Sequence, residues 1–362
     1  MIGESRSAPE GGAMSVEQIE RGLARLRMNE DGSLGARASV LNLIVVTDEE
    51  SAPEIAQVVS SLSGHYPCRA IIMISDPDEE RSKLDVSLSA FCSLRHGIPG
   101  GTGNQICAEQ ITIHAEGPPA AHLESLAGPL LLPDLPVFLW YPNGRMPRPA
   151  ESDGMAALAD RLILDSGGVD DSEAFMRGVA HLSASGSPEV GDLQWAALSP
   201  WRSLVADLFA PPERAGELGK IKRVEVLYRP VGESRVLLFV GWLASALGWR
   251  PESAVCGERR GREFKFSGPS GEVTATLSPD SPDARLRRVR ILSEECSYQV
   301  SRHRELSDVS STVMRGDELL AERTVQLGSF DSGVLVGEEL RYRGRDEVYE
   351  ASLQMTAEML DL

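Results

Sequence analysis

A proline-rich apolar run, GPLLLPDLPVFLWYP at residues 128–142, constrains the fold of this chain more than any other stretch. It contains four of the chain's 22 prolines. Pro133 and Pro136 flank only two residues, so a preceding helix must end there and the chain must turn sharply. Residues 137–141 are then apolar on both faces, which is typical of a strand at the centre of a sheet covered by helices.

Two patterns of strands and helices succeed one another along the 362 residues. Up to about residue 185, continuous apolar strands alternate with helices, and two half-apolar strands pair across a glycine-rich loop. Such β-α-β order predicts an α/β domain with a mixed, largely parallel sheet covered by helices. Further on, short strands separated by turn residues predict an α+β domain with an antiparallel sheet. We expect a disordered leader over 1–14, a first domain over 15–190 and a second over 191–362.

Three local assignments in this scheme depend on short patterns. Residues 120–132 are expected to form one helix leading into the central strand, and residues 351–355 a strand. Arg341, Arg343 and Arg345 recur with a period of two, which on a strand places three guanidinium groups on one face. Acidic residues flank them, so a solvated face is favoured over a contact for an acidic partner or a phosphate.

The net charge of −18 weighs against binding of nucleic acid or of an anionic membrane, because both need clustered Lys and Arg. The best candidate for a membrane span, residues 236–249, is shorter than the roughly 20 residues that span a bilayer. The five cysteines form no C-x-x-C motif and fit a reducing compartment. We therefore expect a cytoplasmic protein.

Residue chemistry alone indicates no catalytic centre. The glycine-rich loop at 100–104 lacks the lysine and the following helix of a phosphate-binding loop, and a hairpin loop is favoured. The histidines of the first domain show no metal-binding spacing. Asp165 and Ser166 end a strand, where α/β active sites often lie, but Ser166 lacks the flanking glycines of a nucleophile elbow.

Four segments nevertheless resemble one family when they are taken in order. They are LNLIVV at 41–46, HYPCR at 65–69, PLLLPDLPVFLW at 129–140 and ADRLILDS at 159–166. Together they are similar to the glucose-6-phosphate dehydrogenase assembly protein family (OpcA). The similarity covers residues 38–185 well, and the second half by the order of its elements. Members commonly have Trp-Trp where this chain has Trp140-Tyr141.

The resemblance implies a protein that is not an enzyme and needs no cofactor. Family members bind glucose-6-phosphate dehydrogenase, favour its active oligomer and raise its apparent affinity for substrate in the oxidative pentose phosphate pathway. Thiol control occurs in cyanobacterial members, and it is not carried over because this sequence has no close cysteine pair.

The family motif suggests seven residues for structure or partner contact: Arg69, Asp134, Leu135, Pro136, Trp140, Asp165 and Ser166. A purely structural role for the motif is an equal alternative, with Trp140 anchoring the core below the turn. Two other functions stay open at this point. One is an α/β enzyme or binding protein for a sugar phosphate, with its site near Asp165, and the other is an interaction module with a different partner.

Overall fold

A computed structural model of the chain describes most of its residues. The described ranges are 4–7, 12–28, 36–37, 39–94, 105–147, 149–186, 188–256, 261–279, 286–302, 308–328, 330–342 and 344–362. The glycine-rich loop at 100–104 and Arg343 lie outside them, as does half of the predicted leader, residues 1–3 and 8–11. Within that leader, Glu4–Ser7 forms a strand paired with Ser89–Cys92.

The described strands are, in chain order, β1 (Glu4–Ser7), β2 (Ala36–Arg37), β3 (Leu41–Thr47), β4 (Cys68–Asp76), β5 (Lys83–Leu94), β6 (Gln105–Glu116), β7 (Val137–Tyr141), β8 (Arg161–Leu164), β9 (Glu189–Asp192), β10 (Arg223–Leu227), β11 (Arg250–Cys256), β12 (Arg262–Gly268), β13 (Gly271–Ser278), β14 (Arg288–Leu292), β15 (Cys296–Arg302), β16 (Asp308–Arg315) and β17 (Glu318–Gln326).

The described α-helices are α1 (Val16–Leu26), α2 (Ala52–Leu62), α3 (Leu123–Ala127), α4 (Pro149–Leu158), α5 (Ser172–Ala184), α6 (Leu193–Ala196), α7 (Ser199–Phe209), α8 (Pro212–Ala215), α9 (Glu233–Leu247), α10 (Ser332–Glu339) and α11 (Glu347–Leu360). Short 3₁₀ turns cover Pro118–His122, Gly128–Leu130, Gly216–Lys220 and Pro230–Gly232.

The chain divides into two compact units that are each built from several segments. Unit 1 comprises Met1–Leu164, Ser187–Val190 and Ser332–Arg343, and unit 2 comprises the remaining segments, Asp165–Gly186, Gly191–Asp331 and Gly344–Leu362. The sequence pattern predicts one passage between domains near residue 190. In the structure, the segment that contains α10 belongs to unit 1 again. A single boundary in the sequence therefore does not separate the two units.

The sheet of unit 1 is mixed and mostly parallel, as predicted. Its described strands lie in the order β1-β5-β6-β4-β3-β7-β8-β9, and β2 pairs with β6. Strands β3, β4, β6, β7 and β8 pair in parallel, whereas β5 runs antiparallel between β1 and β6. All residues of β3, β7 and β8 are buried, because this centre of the sheet has apolar side chains on both faces.

The direction of the chain through this sheet reverses beside β3. From β3 it proceeds outward to β4 and β6, and it then returns to place β7 on the other side of β3. In open α/β sheets such a reversal leaves a crevice beyond the carboxyl ends of the two strands. The fold therefore predicts a binding crevice beyond Thr47 and Tyr141.

Unit 2 contains the second sheet, which is antiparallel apart from one pair. Its order is β11-β12-β13-β10-β14-β15-β16-β17. Within the described part of this second sheet, only β10 and β13 pair in parallel. Alternating buried and partly exposed residues along β12 to β15 show one face packed in the core. Both predicted fold classes are confirmed.

Helices α9 and α11 pack closely within unit 2. A side-chain carbon at Gly241 of α9 would lie 2.5 Å from the carbonyl oxygen of Ser352, and it would also overlap the Thr356 hydroxyl. Ser352 Oγ donates to the carbonyl of Leu238 at 2.8 Å, and Thr356 Oγ1 donates to that of Leu237 at 3.3 Å. Small and hydroxylic residues thus allow the two backbones to approach each other.

Three local predictions are wrong. Residues 351–355 lie in α11 rather than in a strand, because the helical stripe includes the small polar residues Ser352 and Thr356. Arg341 and Arg345 lie outside strands, between α10 and α11, so period-two spacing has no structural meaning there. The helix expected over 120–132 is broken into α3 and two 3₁₀ turns, since Gly128-Pro129 interrupts it.

Two cysteines that are distant in sequence occupy paired backbone positions on neighbouring strands. The register of β5 and β6 pairs the backbones of Cys92 and Cys107, and Cys107 is disulfide-bonded. The sequence spacing therefore concealed a close pair that the hairpin creates. Cys68 is a buried thiol whose pKa burial raises to about 12. Within the described part of the chain, no helix is both long and apolar enough to cross a membrane.

Candidate functional site

The turn that carries the family motif is held by one buried side chain, that of Asn42 on β3. Asn42 Oδ1 accepts the Leu132 N–H at 2.9 Å, and Asn42 Nδ2 donates to the carbonyls of Leu132 at 3.0 Å and Leu135 at 3.4 Å. Its backbone N–H donates to the Pro136 carbonyl at 2.8 Å. Asp134 is exposed at the tip, with φ at 62°. These hydrogen bonds hold the turn in place, and Asp134 is exposed on it together with Pro133.

Trp140 lies at the centre of the sheet of unit 1. It pairs with Val45 on one side and Ile163 on the other, and only 1% of its surface is exposed. Its indole N–H is buried and has no hydrogen-bond partner within the described part of the chain. A contact with another protein through this side chain would require the sheet to open, so its position is that of a core anchor.

Arg69 is the centre of a buried charge network. Its Nε and Nη2 donate to Glu109 Oε2 at 2.9 and 2.7 Å, and its Nη1 donates to Glu20 Oε1 at 2.5 Å and to the Leu130 carbonyl at 2.9 Å. Arg27 Nε lies 3.0 Å from the other Glu109 oxygen. The network ties α1 and β6 to the segment that precedes the motif turn. Arg69 is 1% exposed, so its guanidinium makes its contacts within unit 1.

Asp165 and Ser166 belong to a polar cluster of unit 2. Asp165 Oδ1 accepts the Gly167 N–H at 2.9 Å and Gln194 Nε2 at 2.7 Å, and Gln194 Oε1 accepts Arg235 Nη2 at 2.7 Å. The Ser166 N–H donates to Asp192 Oδ1 at 3.2 Å, and the Ser166 side chain is 1% exposed. These hydrogen bonds thus hold the loop that follows β8 in place.

Burial dominates the electrostatics of that cluster. Asp192 is fully buried, and this raises the pKa of its carboxyl to about 7. Hydrogen bonds from Ser166 and Gln194 favour the carboxylate and oppose the rise, while the nearby charge of Asp165 adds to it. Two carboxyl groups side by side would also repel a phosphate placed here.

The crevice predicted by the topology exists in unit 1, and we call it the switch-point crevice. It has a volume of about 620 Å³ and lies beyond the carboxyl ends of β3, β4, β6 and β7. Its lining residues are Thr47 to Ser51, Ile74 to Pro77, Lys83, His114, Glu116, Pro142, Asn143 and Arg145. No local sequence pattern predicted this site, although the polar run TDEES at 47–51 begins where the buried strand β3 ends.

The loop that enters the crevice differs from one that binds a dinucleotide. In a dinucleotide-binding fold, a glycine-rich turn presents backbone N–H groups to phosphate at the start of the first helix. Here Asp48 Oδ1 accepts the Ser51 N–H at 2.8 Å, so a carboxylate of the chain itself occupies that position. Pro53, at the start of α2, removes a further donor. The crevice is therefore built to repel an anion.

The histidines take separate positions. His114 lines the crevice and contacts the carboxylate of Glu49, while His122 and His181 lie on the surface. His96 falls outside the described residues. Among the residues with described placement, no three His, Cys, Asp or Glu side chains are grouped to hold a metal ion.

Sequence models of one protein family match both halves of the chain. The model described as the glucose-6-phosphate dehydrogenase subunit N-terminal domain matches residues 59–181, and that described as its C-terminal domain matches residues 188–353.

Curated relatives carry the same family name. The OxPP cycle protein OpcA of Synechocystis sp. is 23% identical over 321 residues, which cover 84% of this chain and 66% of the relative. The OxPP cycle protein OpcA of Nostoc punctiforme is 28% identical over 255 residues, which cover 70% of this chain and 51% of the relative. The matched part thus spans about half to two thirds of these relatives.

Solved structures add a likeness of fold alone. The 3-ketoreductase KijD10 from Actinomadura kijaniata in complex with NADP aligns with a TM-score of 0.52 at 14% identity, covering 89% of this chain and 96% of that one. Its open conformation with TDP-benzene and NADP gives 0.51 at 15% identity over the same shares. Because the two family models together cover most of both halves, this chain belongs to the glucose-6-phosphate dehydrogenase assembly protein family (OpcA).

Proposed function

We propose that this protein is a non-catalytic assembly factor and allosteric activator of glucose-6-phosphate dehydrogenase. In this role it binds the dehydrogenase in the cytoplasm, favours its active oligomer and raises its affinity for glucose 6-phosphate. The observation that carries the proposal is the match of two family models, both named for a dehydrogenase subunit, to residues 59–181 and 188–353.

The chemistry of the switch-point crevice supports a role without catalysis. A reductase on this type of sheet needs a place for the dinucleotide phosphates at the start of the first helix. In this chain that place is taken by Asp48 and followed by Glu49 and Glu50, whose charges oppose a phosphate. The likeness to NADP-dependent reductases therefore concerns the fold and not the cofactor site.

The rival site for a sugar phosphate near Asp165 has less support. Asp165 and Asp192 would place two carboxyl groups beside the ligand, and the side chain of Ser166 is buried. Arg235, the cation of the cluster, is itself buried and donates to Gln194. Ser166 Oγ is buried without a hydrogen-bond partner among the described residues, but the two carboxyl groups of the cluster oppose a phosphate ligand.

Activation requires that the protein bind one state of the dehydrogenase better than another. A tenfold change in the substrate affinity of the dehydrogenase corresponds to about 1.4 kcal/mol of coupling free energy. Such a difference is within the reach of a few interfacial contacts, so no large rearrangement of either protein is needed.

The test is to titrate the purified chain into its cognate dehydrogenase. The KM for glucose 6-phosphate should fall, and sedimentation should show a shift toward the larger oligomer. Serum albumin at the same concentration serves as the control for crowding. An unchanged KM and an unchanged oligomer at saturating protein would overturn the proposal, as would turnover of glucose 6-phosphate by the isolated chain.

A further inference from the structure

The switch-point crevice carries an excess of negative charge. Five carboxylate side chains line it, against two cationic ones, Lys83 and Arg145. The five are Asp48, Glu49, Glu50, Asp76 and Glu116. Lys83 is already paired with Glu116, at 3.2 Å between Nζ and Oε1. The remaining field at the crevice attracts a cation.

Two buried hydroxyl groups provide an independent indication of a ligand. Thr47 and Ser75, at the ends of β3 and β4, line the crevice and are 1% and 4% exposed. Among the residues that the structure describes, neither Thr47 Oγ1 nor Ser75 Oγ has a hydrogen-bond partner. Buried polar atoms are normally hydrogen-bonded, so these two hydroxyls, each of which can accept a hydrogen bond, mark a place where a partner is missing.

The combination of carboxylates and unpaired hydroxyl oxygens suits one chemical group in particular. A guanidinium carries five N–H donors in a planar fork and no acceptor, so it can bond to both kinds of oxygen at once. A compact metal ion would require clustered ligands, and the described residues contain no such group. Arginine is therefore the side chain that fits the crevice best.

The space beyond the crevice fits a polypeptide better than a small cation. A second cavity of about 460 Å³ adjoins it and shares Glu49, Ile74, Lys83 and His114 with it. Asp85, Ser87 and Thr112 line this extension with further acceptor oxygens. A loop could thus insert its arginine into the crevice while its backbone follows the extension.

We propose that the switch-point crevice receives an arginine side chain from a surface loop of a partner protein. The inference rests on the proposed function, in which that partner is the dehydrogenase. It assigns the interface to the strand ends of unit 1, where a related reductase fold would place its cofactor, and it makes the complex sensitive to charge in this crevice.

The experiment compares two double variants of the full chain in binding to the dehydrogenase. Glu49→Gln with Glu50→Gln removes two charges from the crevice, at exposed positions that should not disturb folding. Glu252→Gln with Glu322→Gln removes the same charge from exposed strand positions of unit 2. Urea unfolding checks that both variants retain the stability of the unmodified chain.

We expect the crevice variant to bind at least about tenfold more weakly, and the control variant to bind like the unmodified chain. Arginine hydrochloride should also dissociate the unmodified complex more strongly than sodium chloride at equal ionic strength, and this difference should vanish in the crevice variant. Equal affinities of the two variants would overturn the inference and leave the proposed function intact. Failure of the unmodified chain to bind would overturn both.

Discussion

Arg69 and Glu109 lie directly opposite each other on the parallel strands β4 and β6, and their side chains form a buried ion pair. The two residues are register partners, and Arg69 Nη2 lies 2.7 Å from Glu109 Oε2. Each side chain is at most 1% exposed. A charge pair in this position depends on both members, because Glu109 alone would keep only Arg27 as a partner and Arg69 alone would keep only the partly exposed Glu20.

Arg69→Met should therefore lower the free energy of unfolding by about 3–5 kcal/mol, measured by urea denaturation. It leaves the buried carboxylate of Glu109 with Arg27 as its only cationic partner among the described residues, and it removes the donor to the Leu130 carbonyl. The matched control is Arg21→Met, which breaks the exposed pair with Glu17 on α1 and should cost less than about 1 kcal/mol. Similar losses in the two variants would contradict the buried network.

Trp140 provides a second prediction, which separates a core role from a contact role. Trp140→Ala should cost about 3–5 kcal/mol, because it removes a large buried side chain. Trp140→Phe should cost much less, since the indole N–H it removes has no hydrogen-bond partner. At a temperature where Trp140→Phe is folded, activation of the dehydrogenase should be retained. Normal stability combined with lost activation would instead place Trp140 at the interface.

The close approach of α9 and α11 leads to a third prediction, in which the sign of the stability change is informative. Gly241→Ala should destabilise unit 2 by about 1–3 kcal/mol, because the added carbon meets the carbonyl of Ser352 and the hydroxyl of Thr356. In an uncrowded helix the same change would stabilise by up to about 1 kcal/mol. The control is Gly219→Ala, where the added carbon meets no atom within 4 Å. Thermal melts of both variants provide the comparison, and a stabilised Gly241→Ala would refute the packing.

These residues also show what the sequence could and could not predict. The alternation of apolar strands with helices was enough for both fold classes, since it reflects burial along each element. The same pattern gave a wrong prediction for α11. There Ser352 and Thr356 lie on the buried face, and their hydroxyls donate hydrogen bonds to carbonyls of α9. Polar residues in a buried stripe weaken its apolar periodicity, and only the partner helix explains why they are there.

The candidate site was harder to predict for a different reason. The run TDEES was visible, but its meaning depends on β7 returning to lie beside β3. Likewise, Asn42 is an isolated polar residue within an apolar strand, and its partners lie some 90 residues away at Leu132 and Leu135. Long-range pairing creates these sites, and a local pattern does not contain it.

Asp192 leads to the last prediction, which concerns pH. Burial raises the pKa of its carboxyl to about 7 in the folded chain, against an ordinary value of 3.8. Between these two values the folded state holds a proton that the unfolded state has lost, so the contribution of Asp192 to stability falls as the pH rises. The loss is complete above about pH 7 and amounts to at most about 4 kcal/mol, at 1.36 kcal/mol per pKa unit.

Asp192→Asn should remove this dependence while its amide oxygen still accepts the N–H groups of Ser166 and Gln194. The difference in unfolding free energy between variant and unmodified chain should then grow in favour of the variant from pH 4 to pH 8, in urea titrations at each pH. The values near pH 4 serve as the internal control, because there the unmodified side chain is neutral in the fold. Parallel stability curves across the whole range would mean that Asp192 is solvated or paired, and that burial does not govern its charge.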